Sequence, residues 1–195
     1  MRVIDWDIFL QNGLPPNGKP SSMTVGIFDG VHLGHRSLLN CIVSHNSDFV
    51  PVVVTFKQNH KPGFKDIRSF DEKLEALESM GIQIVIVVDF TDEFKHTPGT
   101  EFLRLLLKHG NIGFIAVGGN FRCGSRLDTD AAAVQKFFAS NNIPAEIVPE
   151  VCYPSDDPKN PQPISSSRIR AAIAAGDLEL AQAMLGYSVG RGFVL

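Results

Sequence analysis

The sequence has few cysteines, a small net charge and no long apolar runs, and each of these features excludes a class of protein. The three cysteines, Cys41, Cys123 and Cys152, are widely separated and form no Cys-x-x-Cys pair, so neither a disulfide framework nor a structural zinc site is predicted. The formal net charge is -3, without the long like-charge runs that bind a nucleic-acid backbone. We therefore expect no nucleic-acid partner, and any anion has to be bound by local groups.

No segment approaches the roughly 18 consecutive apolar residues that a membrane span needs. The first ten residues include Arg2, Asp5 and Asp7, which do not give the charged-then-apolar layout of a secretion signal. A composition that is 44% hydrophobic and 20% charged is typical of a globular protein. We expect no membrane partner and, as defaults, a cytoplasmic location and a monomer.

Short apolar runs rich in Val, Ile and Phe alternate with stretches of helical periodicity, which indicates strands alternating with helices. Parallel strands need crossover connections of about a dozen residues, and the helices supply them. The predicted fold is therefore α/β, with a doubly wound, mostly parallel sheet whose ligands bind outside the carboxyl ends of the strands. The predicted strands are Ser22–Phe28, Val50–Phe56, Gln83–Asp89, Phe114–Val117 and Ala145–Val148.

Capping residues and glycines set the bounds of the predicted helices. The segment Tyr153–Pro163 contains four prolines and no apolar period, which predicts an exposed loop. The predicted helices begin at Asp71, Thr100, Thr129 and Asp177 and end at Gly81, Gly110, Ser140 and Gly186, respectively.

The most informative segment is Gly26–Arg36, which reads Gly-Ile-Phe-Asp-Gly-Val-His-Leu-Gly-His-Arg. It lies where the first strong strand ends and a helix begins. A helix start offers free backbone N–H groups and the positive end of the helix dipole, which together favour phosphate. Gly26, Gly30 and Gly34 lack side chains, so the backbone can approach a ligand closely and adopt turns that other residues disfavour.

His32 and His35 are three residues apart, so on a helical turn both rings face the same side. Two imidazoles that converge on one phosphate can donate hydrogen bonds to oxygens whose negative charge grows as bonds to phosphorus rearrange. Two histidines in a glycine-rich turn can also be ordinary capping and turn residues. The strand-turn-helix context favours the chemical interpretation.

A second motif, Ile-Ser-Ser-Ser-Arg-Ile-Arg, runs from Ile164 to Arg170 and opens another helix. Serines at a helix start are usually caps and nothing more. Ser166 and Arg170 are four residues apart, however, so hydroxyl and guanidinium stack on one helical face and can hold a triphosphate tail. A third segment, the glycine-rich Val117–Gly124, leaves a buried strand towards the same edge, and by itself it predicts only a surface turn.

Together and in this order, the three segments resemble the adenylyltransferase module of the bacterial bifunctional riboflavin kinase/FAD synthetase family. The opening motif of that family, Gly-x-Phe-Asp-Gly-x-His-x-Gly-His, is met from Gly26 to His35. Its closing motif, Ile-Ser-Ser-Thr-x-x-Arg, is met with Ser167 in place of threonine. In the middle loop Gly119 replaces the usual acid and Cys123 a phenylalanine. The resemblance is nearly chain-long and implies a sheet of the HxGH nucleotidyltransferase (Rossmann-like) type.

The resemblance implies an FMN adenylyltransferase, or FAD synthetase, that transfers AMP from ATP to FMN with Mg²⁺ as cofactor and releases pyrophosphate. An FMN phosphate is already ionised near neutral pH, so no general base is needed. Catalysis then consists of alignment and charge stabilisation. In this scheme His32 and His35 act at the triphosphate, while Ser166 and Arg170 hold the departing β- and γ-phosphates.

Further contacts are implied by the resemblance alone. They fall in the same three segments and near the second strand. The implied ATP contacts are Gly26, Phe28, Asp29, Gly30, Gly34, Gly118, Asn120, Ser165, Ser167 and Arg168; the implied FMN contacts are Asn59, Phe121 and Arg122; and Asn59 is also the implied metal ligand.

The implied adenylyltransferase domain spans residues 1–186, and residues 187–195 resemble the entry into the kinase barrel of that family. About a hundred further residues would be typical of an extra domain, so we expect no riboflavin kinase activity. Two alternatives stay open. One is a nucleotidyltransferase of the same superfamily with another phosphorylated acceptor, such as nicotinamide mononucleotide or phosphopantetheine. The other is a flavin- or nucleotide-binding protein without turnover.

Overall fold

Six parallel strands form the central sheet of this protein. The structure, a computed structural model, describes residues 1–15, 18–57, 66–153 and 161–188. The strands are β1 (Arg2–Asp5), β2 (Ser21–Val25), β3 (Val50–Phe56), β4 (Ile84–Val88), β5 (Ile112–Gly118) and, after two strands of a short ribbon, β8 (Ala145–Val148). Their order in the sheet is β1-β4-β3-β2-β5-β8. The predicted doubly wound α/β fold is confirmed.

Helices cover both faces of this sheet. The helices α1 (Trp6–Asn12), α5 (Gly99–His109) and α6 (Ala131–Ser140) pack on one face, and α2 (Leu33–Val43) and α3 (Phe70–Ser79) pack on the other. The remaining helices are the short α4 (Asp92–Lys95), α7 (Ser166–Ala174) and α8 (Leu178–Leu185). Helices α7 and α8 pack together around Ile169, Met184 and Leu185.

The sheet is buried on both faces, as expected for parallel strands between helical layers. All five residues of β2 are buried. Met23 and Val25 point into the core beneath α1 and α5, whereas the Ser22 hydroxyl points to the opposite face and donates to the Ile42 carbonyl of α2 at 2.8 Å. The burial of all five residues of β2 therefore reflects helices on both faces of the sheet.

Two of the five predicted strands have the observed bounds, and three differ at their ends. The predicted strand Ser22–Phe28 is observed as Ser21–Val25, because Phe28 has a φ of 54° and starts a turn. Sequence patterning also missed β1. Only one of its four residues is buried, so this strand is determined by its pairing with β4 rather than by its own apolar period.

Three predicted helix starts were wrong by one or two residues. Ser69, not Asp71, caps α3, through a capping box in which Ser69 and Glu72 bond each other's backbone N–H groups. Helix α5 begins at Gly99, before Thr100, and α6 begins at Ala131 after the cap Asp130. The predicted cap Asp177 and the left-handed stop at Gly186 are both observed for α8.

Two short antiparallel ribbons extend from the sheet towards its carboxyl edge. The first pairs β6 (Arg122–Cys123) with β7 (Thr129–Asp130). The second pairs β9 (Cys152–Tyr153) with β10 (Gln162–Pro163), so both ends of the predicted loop Tyr153–Pro163 belong to a ribbon. The residues of that loop from 154 to 160 lie outside the described part of the chain.

We expect Ser69→Ala to lower the free energy of unfolding by about 1 kcal/mol, because it removes the side-chain acceptor at the start of α3. Chemical denaturation monitored by circular dichroism measures this change. Ser79→Ala, in the exposed last turn of the same helix, is the matched control and should change stability by less than about 0.5 kcal/mol. Equal effects of the two substitutions would contradict the cap.

Candidate active site

A cavity of about 620 Å³ opens at the carboxyl edge of the sheet, where ligands of doubly wound folds bind. Its wall is formed by the turn after β2, by the ends of β3, β5 and β8, and by the first turns of α2 and α7. Its volume lies within the usual range for small-ligand sites. The motif after β2 and the motif at the start of α7 therefore meet at one cavity.

The turn between β2 and α2 has an unusual backbone. Phe28, Gly30 and Val31 have φ values of 54°, 75° and 40°, respectively, in the left-handed region that costs energy for residues other than glycine. At Gly30 a Cβ would also lie 3.1 Å from the Ile67 side chain, so both conformation and space require glycine there. We call residues 27–31 the phosphate turn, after the ligand that the sequence predicts for this segment.

Side chains from other elements hold the carbonyl groups of the phosphate turn. Each donor comes from a different part of the fold, so the strained backbone is fixed from several directions. Thr55 Oγ1 donates to Ile27 O at 3.0 Å, Ser166 Oγ to Asp29 O at 3.0 Å, Tyr187 Oη to Gly30 O at 2.9 Å, and Arg36 Nε to Val31 O at 3.2 Å.

His32 and His35 stack on each other at the start of α2, with ring centroids 3.6 Å apart and an angle of 15° between the planes. His32 caps the helix, because its Nδ1 accepts a hydrogen bond from the His35 backbone N–H at 3.2 Å. An accepting Nδ1 carries no proton, so the neutral His32 ring has its proton on Nε2. The cap thus fixes Nε2–H as the donor.

Burial keeps both imidazoles neutral. It lowers the pKa of His32 to about 4. Burial also lowers the pKa of His35 well below its usual value, and the charges of His32 and Lys73 lower it further. At neutral pH the pair therefore supplies uncharged N–H donors, and an anion in the cavity meets dipoles at this wall.

The second motif lines the same cavity. Ser165 caps α7 by accepting from the Arg168 backbone N–H at 3.3 Å. The Arg170 guanidinium forms a buried ion pair with the Asp29 carboxylate, which also accepts from the Ile67 backbone N–H at 2.8 Å. Burial nevertheless raises the pKa of Asp29, against the lowering effects of Ile67 and Arg170. The two motifs are thus joined directly through Asp29 and Arg170.

Most of the residues predicted for the site line this cavity. Gly118 and Asn120 belong to a turn in which Phe121 N–H donates to Gly118 O at 3.0 Å, and the Gly119 N–H donates to Val148 O at 3.0 Å. The predicted residues in the lining are Gly26, Phe28, Asp29, His32, Gly34, His35, Gly118, Asn120, Phe121, Arg122, Ser165, Ser166, Ser167 and Arg170.

Three predicted site residues are not among them. Arg168 does not line the cavity, and its Nη1 donates to the carbonyls of Gln162 and Pro163 at 2.8 and 3.0 Å. It therefore closes the turn before α7, and its predicted ATP contact stays a prediction. Gly30 faces Ile67. Asn59 lies outside the described residues, and its predicted FMN and metal contacts stay predictions.

Sequence patterning missed an aromatic wall at one end of the cavity. Phe56, Phe90 and Phe94 contact one another edge-on or tilted, with ring centroids 5.6 to 6.0 Å apart. Phe102 continues this set against Phe94 at 5.8 Å. We call these four residues the aromatic wall. The available signal was position, since Phe56 ends β3 and Phe90 follows β4 at the ligand-binding edge.

Tyr187 was also missed, because it lies beyond the predicted domain boundary at residue 186. Its ring lies under the Arg68 guanidinium, with 4.0 Å from the Arg68 Cζ to the ring centroid, and Arg68 Nε donates to its hydroxyl at 2.9 Å. Tyr187 thereby connects the segment after α8 to the phosphate turn at Gly30. The boundary itself stays a prediction.

Comparison with known proteins now identifies the family. The family model described as FAD synthetase matches residues 14–167, which include the phosphate turn, both histidines and the start of α7. The chain belongs to the FAD synthetase family. This match confirms the family resemblance predicted from the sequence.

Individual members of this family are moderately similar to the chain. The bifunctional riboflavin kinase/FMN adenylyltransferase of Escherichia coli K12 is 30% identical over 176 residues, covering 85% of this chain and 54% of that protein. The corresponding protein of Buchnera aphidicola is 27% identical and also covers 85% of this chain and 54% of its own length. The FAD synthetase of Listeria monocytogenes is 28% identical over 89% of this chain and 72% of that protein. The chain thus spans about half the length of the bifunctional relatives.

A solved structure supports the fold. A crystal structure from Streptococcus pneumoniae, described as a macrolide-efflux protein, superposes with a TM-score of 0.79 at 27% identity and covers 96% of this chain and 60% of that one. Among the residues that the structure describes here, no helix is both long and apolar enough to span a bilayer.

The buried histidine pair predicts a loss of stability in acid. Both folded pKa values lie below the unfolded value of about 6.5, so the unfolded chain takes up protons first as the pH falls. The free energy of unfolding should therefore drop as the pH falls from 6.5 towards 4, the folded pKa of His32, by up to about 1.4 kcal/mol per pH unit for that residue, and His35 should add to the drop in the same direction. Denaturant titrations across this range measure the slope.

The double variant His32→Asn/His35→Asn is the control for this slope. Asparagine does not titrate, and it is a good helix cap in place of His32. We expect a much shallower dependence on pH in the variant. A slope equal to that of the wild type would contradict the neutral, buried state of the pair.

Proposed function

We propose that the protein is an FMN adenylyltransferase that transfers AMP from ATP to FMN and forms FAD and pyrophosphate. The observation that carries this proposal is the meeting of two helix starts, α2 with its histidine pair and α7 with its three serines, at one cavity with an aromatic wall. Family membership supports the same activity. Such a cavity fits a nucleoside triphosphate together with the ring system of a flavin.

The histidine pair suits the α-phosphate of ATP. The neutral Nε2–H of His32 and the neutral His35 ring can donate to phosphate oxygens, and the buried site strengthens each hydrogen bond. The start of α2 adds the positive end of its dipole. Both rings are held in place by their stacking and by the cap, so the donors need no rearrangement when charge grows on the phosphate.

The start of α7 suits the departing pyrophosphate. Its serines lie in the cavity lining with Arg170, whose orientation is fixed by Asp29. The Ser166 hydroxyl donates a hydrogen bond to Asp29 O in the present structure, so it has to rotate before it can donate to a phosphate. Arg170 then acts as a fixed cation at the far side of the triphosphate, where a guanidinium binds phosphate well.

The aromatic wall suits the isoalloxazine ring of FMN. Rings pack on Phe side chains face-on or edge-on, and such packing would hold the FMN phosphate towards the histidines. In the reaction an FMN phosphate oxygen bonds to the α-phosphorus of ATP, while the bond from that phosphorus to the β-phosphate bridging oxygen breaks. The FMN phosphate is already ionised, so the protein supplies alignment and charge stabilisation rather than a base.

Magnesium belongs to this proposal as a companion of the triphosphate. Mg²⁺ usually keeps several waters and takes only one or two protein carboxylates besides phosphate oxygens. Within the described part of the chain no group of three or more His, Cys, Asp or Glu side chains could hold a metal. The described residues therefore fit an ion that is bound largely by phosphates and water, and Asn59 is the predicted amide ligand. The ion would neutralise phosphate charge.

The activity is tested by incubating the protein with ATP, Mg²⁺ and FMN and separating the products by chromatography. We expect FAD and pyrophosphate in equal amounts. Nicotinamide mononucleotide and phosphopantetheine serve as competing acceptors, and riboflavin tests the expected lack of kinase activity. Turnover with another acceptor and none with FMN would replace the proposed substrate, whereas binding without pyrophosphate release would indicate a non-catalytic protein.

His32→Asn should lower kcat about 100-fold, the usual cost of losing one preorganised donor. Asparagine preserves the helix cap, so the variant separates chemistry from folding. Exposed His96, whose ring does not line the cavity, provides the control His96→Asn. A full rate in His32→Asn would remove His32 from the catalytic assignment.

A further inference from the structure

Lys73 is a buried lysine behind the wall of the cavity. It lies on the inner face of α3 with Leu77 and is only 6% exposed. Lysine is rarely buried to this extent unless its charge is paired or fully hydrogen-bonded. Nothing in the proposed chemistry uses this residue directly, since it does not line the cavity.

The Lys73 ammonium has three donors and meets three acceptors. Nζ lies 2.7 Å from Phe56 O, 3.3 Å from Ile27 O and 3.4 Å from Thr55 Oγ1. Thr55 Oγ1 in turn donates to Ile27 O. Ile27 begins the phosphate turn and Phe56 belongs to the aromatic wall, so one side chain connects the two halves of the cavity.

The charges around Lys73 come from several elements. Asp29 in the phosphate turn and Asp66 before α3 favour its charged form, whereas burial, the largest effect, lowers the pKa of Lys73 to about 8. Arg170 is bound to the same Asp29. His35 on α2 lies close enough for the Lys73 charge to lower the pKa of its imidazole, and the Phe70 ring lies 5.1 Å from Nζ.

We propose that Lys73 is a positioning residue for adenylyl transfer, which fixes the phosphate turn relative to the aromatic wall. This inference rests on the proposed function, because the two halves of the cavity would hold ATP and FMN. In-line attack requires the two substrates to be aligned closely, and a displacement of about 1 Å can cost 100-fold in rate. Loss of the ammonium would remove the hydrogen bonds from Nζ to Phe56 O and Ile27 O and would loosen this alignment.

Two substitutions separate charge from shape. Lys73→Met removes the charge and the donors at similar length, whereas Lys73→Arg retains a permanent charge. We expect Lys73→Met to lower kcat roughly 10- to 100-fold with smaller changes in KM for ATP and FMN, because misalignment affects the reaction more than binding. Lys136→Met, on the exposed face of α6, is the matched control and should match the wild type.

The pH profile provides a readout that a purely structural role would not change. The wild-type kcat should fall as the pH rises through about 8, where Lys73 loses its proton, and Lys73→Arg should remove this fall. Burial raises the pKa of Cys41 to about 11 and that of Cys123 to about 12, so these thiols lose their protons at too high a pH to cause the fall. A wild-type kcat that stays flat to pH 9.5, with Lys73→Met within twofold of wild type, would overturn the proposal.

Imidazole titration by NMR tests the position of the Lys73 ammonium without substrates. The His35 signals, assigned with His35→Asn, should begin to shift at higher pH in Lys73→Met than in the wild type, because a neighbouring positive charge has been removed. If the wild type made no FAD, the proposed function would fail on its own, and this titration would still test the effect of Lys73 on His35. Identical titrations in both proteins would overturn the proposed position of the Lys73 ammonium beside the phosphate turn.

Discussion

The site depends on a strained turn in which side chains from other elements bind four of the five carbonyl groups, while Phe28 O accepts from Val31 N–H within the turn. Phe28, Gly30 and Val31 have left-handed backbone conformations, which cost energy that the surrounding structure must offset. Donors from β3, α2, α7 and the segment after α8 supply the bonds. Because the turn is fixed by these bonds, the first helical turn of α2 and its histidines are held at the cavity. Each donor therefore helps to position the histidines, and one of the donors, Ser166, is also a proposed phosphate contact.

Charge in this site is arranged so that the cations are held and the imidazoles are neutral. Asp29 holds Arg170, and backbone carbonyls hold Lys73, so neither cation can move freely to a ligand. The neutral histidines contribute directed dipoles, which need no reorganisation as phosphate charge develops. Breaking one partner of a buried pair leaves an uncompensated charge. Substitutions at Asp29 or Arg170 therefore affect folding and chemistry together, whereas the histidines offer a cleaner separation of the two.

The sequence was sufficient to predict the fold class and the position of the first motif at the carboxyl edge of the sheet, because these follow from local patterns and from the geometry of parallel strands. The meeting of the two motifs was implied by the family resemblance. It was insufficient where long-range contacts decide. Arg170 pairs with a residue 141 positions away, Lys73 is buried among carbonyls of two other segments, and the Phe residues of the aromatic wall come from separate elements. In sequence Lys73 is simply a charged residue of an amphipathic helix. The edge strand β1 was missed for the same reason, since its partner rather than its composition determines it.

The central claim is that the starts of α2 and α7 bind one nucleotide between them. Hydrogen exchange measured by mass spectrometry, with and without a non-hydrolysable ATP analogue and Mg²⁺, tests it most directly. The account predicts slower exchange in two separate peptides, one covering residues 26–36 and the other residues 164–170, at the same analogue concentration. Protection of only one of these peptides, or half-saturation at different concentrations, would show that the two segments do not share a ligand and would contradict the account.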